Sequence, residues 1–242
     1  MPCGMKASKH EVGFTKEQQE VLTGTLLGDG CLAQHGHFHR LHVKHKAEHR
    51  ALAELKYQTF AEYISMPLHA FDQQLLGKEY PCVQFASLTS PEFTKWHRYF
   101  YRGRRKVVPP DIARHLSPLA VAVWFMDDGA SDFAGVTFQT HSFRLNEVRL
   151  LADSLRSSLG VIANLRRNKG AWILYVGASE LPRFRDLVSR YILPDLSYKL
   201  VARSATPYRK TSISSSVGSP GHTTAERTYG PNINEQASLG RK

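Results

Sequence analysis

The sequence predicts an α+β protein of two pseudo-symmetric αββαββα halves, with saddle-shaped antiparallel sheets packed through a pair of matching apolar helices. Two short apolar stretches, LTGTLLGDGCL at 22–32 and LAVAVWFMDDGASD at 119–132, each run into an aspartate followed at once by glycine, Asp29-Gly30 and Asp128-Gly129. After each stretch the signals for helices and strands recur in the same order. Lys199 also follows Asp128 at a distance similar to that from Asp29 to Lys106, as an internal duplication with drift would leave it. The boundaries drawn from this pattern are an N-terminal extension over 1–14, a first half over 15–108 and a second half over 109–202. A serine- and glycine-rich tail over 203–242 reads as disordered.

The totals limit the function classes. A chain of 242 residues with 42% hydrophobic content can build proper cores. Its 32 Lys and Arg against 21 Asp and Glu give a net charge of +11, which points to a polyanionic partner, nucleic acid first. No apolar run approaches the ~18 residues of a membrane span, so no membrane partner is expected. Cys3, Cys31 and Cys82 are scattered and odd in number, and form neither a disulfide framework nor a CxxC zinc site. They point to a reducing compartment: an organelle matrix or stroma if the gene is organellar, a bacterial cytoplasm otherwise.

Taken in order, Thr15 with Gln18 three residues on forms a capping box for the first apolar helix, with Gly30 as its terminating glycine. Residues 31–45 alternate around a turn at Gln34-His35-Gly36 and predict a hairpin. Its second arm puts His39, Leu41, Val43 and His45 on one face and Phe38, Arg40, His42 and Lys44 on the other. That basic face suits a β-ribbon in a DNA major groove. His35, His37, His39, His42, His45 and His49 lack the cysteine or acidic partners of a closed zinc set, so they read as polar DNA-facing side chains. Helical spacing predicts a packing helix over 47–64, closed by Pro67. Strands are expected at 68–75 and 81–87 across a turn at Gly77-Lys78. Ser90 and Pro91 open a helix over 91–101 whose Phe93, Trp96, Tyr99 and Phe100 read as core. A basic loop, Arg102 to Lys106, precedes the second apolar helix, which Ser117 caps with Pro118 at its first position. A strand at 135–140, a helix over 144–159 closed by Gly160, a hairpin turning at Asn168-Lys169-Gly170 and a helix from a Ser179 cap to Tyr191 complete the second half.

An aspartate at a helix C-terminus faces the negative end of the dipole, at a cost of roughly 0.3–1 kcal/mol. It happens twice here, so a positive group is expected at both ends. Paired carboxylates suit a divalent cation, and Mg²⁺ is typically held by one or two of them together with phosphate oxygens. On a nine-residue frame the stretches read Leu22-Thr23-Gly24-Thr25-Leu26-Leu27-Gly28-Asp29-Gly30 and Val121-Ala122-Val123-Trp124-Phe125-Met126-Asp127-Asp128-Gly129. They resemble the paired signature of the LAGLIDADG homing endonucleases, in the single-chain, double-motif form, and WFMDDG is similar to the omega-intron subgroup. The second copy departs from the pattern at Val123, where the family carries glycine, so the close approach offered by Gly24 and Gly28 is not mirrored.

The resemblance implies a monomer that binds double-stranded DNA, makes a metal-dependent double-strand break with 3′ overhangs in a long target site, and supports intron mobility. It assigns Asp29 and Asp128 to metal binding and catalysis, assisted by the backbone carbonyls of Gly28 and Asp127. The cofactor is Mg²⁺, for which Mn²⁺ can substitute. Lys106 falls on the active-site lysine with Lys199 as its counterpart, and Gln139 is assigned to positioning water. Contacts to DNA are expected from Arg40, His42, Lys44, Gln84, Arg104, Arg105, Arg166, Arg167 and Lys169. Two other readings use the same scaffold: a maturase that binds intron RNA, and a DNA-binding regulator without catalysis. The regulator would have lost its acids, and both are present.

Overall fold

The structure, a computed structural model, describes residues 13–202; residues 1–12 and the 203–242 tail lie outside the described residues. Helix α1 (Lys16–Leu27) starts from the expected capping box, with Thr15 and Gln18 bonded reciprocally. Its C-cap is Gly28 rather than Gly30, so Asp29 lies just past the helix. Strands β1 (Cys31–His35) and β2 (Phe38–Lys46) form the expected hairpin.

The helix expected over 47–64 is broken. Helix α2 covers only Arg50–Thr59, between single 3-10 turns at Ala47–His49 and Ala61–Tyr63. Tertiary packing overrides the pattern here: Phe60 and Tyr63 are drawn into an aromatic cluster with Phe14 and Phe93, and a tighter turn keeps their three-residue spacing on one face.

Strands β3 (His69–Leu75) and β4 (Lys78–Ala86) meet at Leu76-Gly77, where both residues have positive φ as a two-residue hairpin turn requires. Pro81 sits inside β4, pairing with Asp72, because β2 pairing reaches only Cys82 and the proline needs no donor on that side. Helix α3 (Pro91–Phe100) leads into a two-residue hairpin, β5 (Tyr101–Arg102) and β6 (Arg105–Lys106), where a loop was expected.

The second apolar helix, α4 (Pro118–Asp128), is capped by Ser117 as expected. Strand β7 (Gly129–Asp132) follows without a break and pairs with β8 (Gly135–Phe138). The sequence reading missed β7 because GASD has no β-branched or aromatic residue to mark it. Helix α5 (Leu145–Leu159), with Gly160 left-handed at its end, strands β9 (Asn164–Asn168) and β10 (Ala171–Val176), and helix α6 (Leu181–Val188) complete the half. The last helix begins from Glu180, not from a Ser179 cap, and passes into a 3-10 turn at Ser189–Tyr191.

The result is two four-stranded antiparallel sheets with matching orders, β1-β2-β4-β3 and β7-β8-β10-β9. In each, one face carries the core: Leu41, Val43 and Phe85 in the first, Val136, Phe138, Leu174 and Val176 in the second. Between the halves α1 packs along α4, both buried on nearly all sides. The departure at Val123 has a partner. A Cβ on Gly24 would fall 2.3 Å from the Ala120 carbonyl oxygen and 2.7 Å from the Val123 Cβ, and one on Gly28 would fall 2.5 Å from an Asp127 carboxylate oxygen. Glycine on one helix makes room for a larger residue at the same frame position of the other.

Candidate active site at the paired helix ends

The two helix ends bring Asp29 and Asp128 into one electrostatic site. Burial first, then the charge of Asp127, raises the pKa of Asp29; burial first, then Asp29 itself, holds that of Asp128 well above the ordinary carboxylate range. Asp29 still presents surface to solvent.

The positive groups expected at the helix ends are Lys106 and Lys199. Lys106 Nζ donates to the carbonyl oxygens of Gly28 at 2.9 Å and Gly30 at 2.8 Å. Lys199 Nζ donates to those of Met126 at 2.5 Å and Asp127 at 3.2 Å. Each ammonium therefore neutralises the carbonyl end of one helix dipole. Burial lowers the pKa of both lysines, and the surrounding aspartates oppose the fall. The carbonyls of Gly28 and Asp127, expected to face a metal, each carry one lysine bond and keep a second lone pair.

Sequence reasoning missed Lys56. It lies on α2 with no exposed side-chain surface, 2.6 and 2.7 Å from the two carboxylate oxygens of Asp127, whose side chain is equally enclosed. Its Nζ also lies 3.2 Å from His45 Nε2. Burial, then the Lys56 charge, pushes the His45 pKa well down, so the ring is neutral and accepts from the ammonium. His45 is thus an interior residue, not a DNA-facing one. Ligand atoms of Asp29, His45 and Asp127 all lie within 4.8 Å of one another, but the Lys56 ammonium already answers that cluster's charge. A signal existed: Lys56 stands four residues after Leu52 and three after Ala53, on the face that those buried residues mark.

The other expected site residues are dispersed. Gln139 donates its backbone N–H to the Asp128 carbonyl at 2.9 Å, while its amide reaches Thr137. Arg40, His42, Lys44 and Gln84 share the open face of the first sheet, where Lys44 donates to Gln73 and Gln84 bonds His42. Among these, Arg40 Nε is buried without a hydrogen-bond partner. Arg104 is exposed at the β5–β6 turn and Lys169 at the β9–β10 turn. Arg105 is committed to Glu147 at 2.8 Å.

Arg166 and Arg167 cannot share a face, because side chains alternate along a strand. Arg166 lies opposite Ile173, over the Tyr175 ring and 3.3 Å from Asp132, on the open side. Arg167 lies opposite Trp172 and over its ring, on the side of Leu165 and Leu174 that packs against helices. Both arginines are exposed, and their side chains leave the strand on opposite faces of the sheet.

A family model described as "LAGLIDADG DNA endonuclease family" matches residues 19–184, both helix ends included. The chain belongs to this family. Among solved structures, this LAGLIDADG protein is similar to the homing endonuclease I-WcaI bound to its DNA recognition sequence, with a TM-score of 0.75 and 25% identity over 83% of this chain and 96% of that one. It is 28% identical to the cytochrome b mRNA maturase bI2 of Debaryomyces hansenii over 76% of this chain and 74% of that protein. It is 26% identical to the probable intron-encoded endonuclease 1 of Wickerhamomyces canadensis, over 78% and 85%. No helix among the described residues is long and apolar enough to cross a membrane.

Proposed function

We propose that the chain is a monomeric, Mg²⁺-dependent homing endonuclease that cuts both strands of a long DNA site. The observation that carries this is the meeting of Asp29 and Asp128, both raised first by burial, with the charge of Asp29 adding to the rise of Asp128, at helix ends neutralised by Lys106 and Lys199. The residues fit a divalent cation, because two crowded carboxylates with raised pKa values are relieved by one. Asp29 and Asp128 would hold it, with the free lone pairs of Gly28 and Asp127 in reach of the same region. When bound, such an ion supplies a Lewis acid for the phosphate and an acidified water.

The chain's own groups do the rest. The open sheet faces carry Arg40, His42, Lys44, Gln84 and Arg166 toward base edges and phosphates. Lys106 and Lys199, fixed by carbonyls, hold positive charge where the leaving oxygen develops its negative charge. Membership of the family and likeness to a DNA-bound homing endonuclease support this reading.

A second reading is favoured by the maturase relative: binding of intron RNA by the same basic surface. The test is cleavage of a randomised duplex library in Mg²⁺, with Ca²⁺ and Asp29→Asn as controls. Recurrent double-strand ends around one long motif, absent in both controls, are expected. Tight, salt-sensitive binding of intron RNA with no DNA cleavage would replace this reading with the maturase.

A further inference from the structure

The paired helix ends are unequal, and the inequality is a buried ion pair. At the seventh frame position the first helix ends on Gly28, while the second carries Asp127, whose carboxylate fills the space that Gly28 leaves. That carboxylate is gripped from the far side by Lys56 of α2 and accepts a long bond of 3.4 Å from the backbone N–H of Asp29. His45 closes the group by accepting from the same ammonium. A continuous set of contacts thus runs from α2 through Asp127 to the backbone of Asp29. Among the described residues the second half has no such grip on Asp128: α5 contains no lysine, and the charged residue it buries, Glu147, is paired with Arg105.

Resting on the endonuclease reading above, we infer that Lys56, with Asp127 and His45, is a positioning group for Asp29 alone, serving one of the two strand cleavages. Stability does not account for it. Two charges removed from water lose most of their attraction to desolvation, and an apolar pair of similar volume holds a core as well or better. What the ion pair provides is direction. Lys56 meets both Asp127 oxygens, which fixes the carboxylate plane and aims Oδ2 at the Asp29 N–H. It also keeps the Asp127 carboxylate, within 4.8 Å of the Asp29 carboxylate, satisfied inside the protein, so that it does not join Asp29 as an additional ligand for the cation. Loss of Lys56 releases both constraints on Asp29 and leaves Asp128, held from the other side by its own helix, in place.

The test uses the full chain with a duplex target labelled separately on each strand, together with residue-resolved amide exchange on the metal-free protein. Asp29→Asn identifies the strand that Asp29 serves. Lys56→Met is expected to slow cleavage of that strand about 100-fold and the other by less than about threefold, so that nicked product accumulates. The Asp29 amide should exchange about tenfold faster in the same variant without metal. Should Lys56→Met fold poorly through its stranded carboxylate, the Lys56→Met/Asp127→Asn double variant removes both charges and is expected to keep the strand bias. Equal slowing of both strands, or an unchanged ratio with unchanged Asp29 exchange, overturns the positioning role. Absence of cleavage by the wild-type chain would instead overturn the endonuclease reading, and the exchange measurement would still judge the contact between Lys56, Asp127 and Asp29.

Discussion

Lys106 brackets Asp29: its ammonium is bonded to the carbonyl oxygens of Gly28 and Gly30, the residues on either side of the acid. The lysine is held by backbone and not by a flexible partner, so its charge is fixed where the reacting phosphate must come. Lys106→Met is expected to lower the cleavage rate by about 10²–10³-fold, the usual cost of removing one preorganised charge donor. Affinity for the target duplex in Ca²⁺ should stay near that of the wild type. Single-turnover rates and equilibrium binding on one substrate check the split.

The two acids set a pH dependence of stability. Their folded pKa values lie above the ordinary 3.8, through burial and neighbouring carboxylate charge. The folded chain therefore holds more protons than the unfolded one above that value. The associated stability is present in full below it and is lost as pH rises through the raised values. In chelator-treated protein, Tm should fall as pH rises above the ordinary carboxylate range, and it should fall less in Asp29→Asn/Asp128→Asn. Mg²⁺ at neutral pH should raise Tm in the wild type and not in the double variant.

The sequence made the duplicated order legible because both copies kept their start signals, the Thr15 box and Ser117-Pro118. It made Asp29 and Asp128 legible because a carboxylate at a helix C-terminus needs a positive neighbour, while the choice of Lys106 and Lys199 as that neighbour came from the family resemblance and from their matching place in the two halves. Lys56 was obscured by its own helix, since a lone lysine among apolar positions reads first as a solvated edge. Asp127 was read for its backbone, because its side-chain partner lies 71 residues away on another element. Strand β7 was hidden by composition, and the break after α2 by an aromatic cluster that only the tertiary fold assembles.

Arg166 and Arg167 give a direct check on which sheet face meets nucleic acid. Arg166→Ala is expected to weaken binding to the target duplex and to reduce the salt slope of log K by about 1. Arg167→Ala should leave both within error and instead lower stability slightly through lost contact with Trp172. Fluorescence anisotropy over a salt series reads both, and equal slopes for the two variants would refute the assignment.

Gly24→Ala places a methyl group against backbone atoms of α4, 2.3 Å from the Ala120 oxygen and 2.9 Å from the Trp124 nitrogen. Backbone of that kind yields only if the helices part. A loss of about 3 kcal/mol is expected, measured by urea denaturation. Cleavage should fall further than stability accounts for, since the same separation moves Asp29 away from Asp128.

The fit of Gly24 to Val123 and of Gly28 to Asp127 also bears on ancestry. A symmetric ancestor presented the same residue to itself across the axis. In this chain each half has kept the shape that its sibling gave up. Two copies of the first half would meet glycine to glycine and leave gaps, and two copies of the second would drive valine and aspartate against their own kind. Along this seam the two halves therefore fit each other as a matched pair.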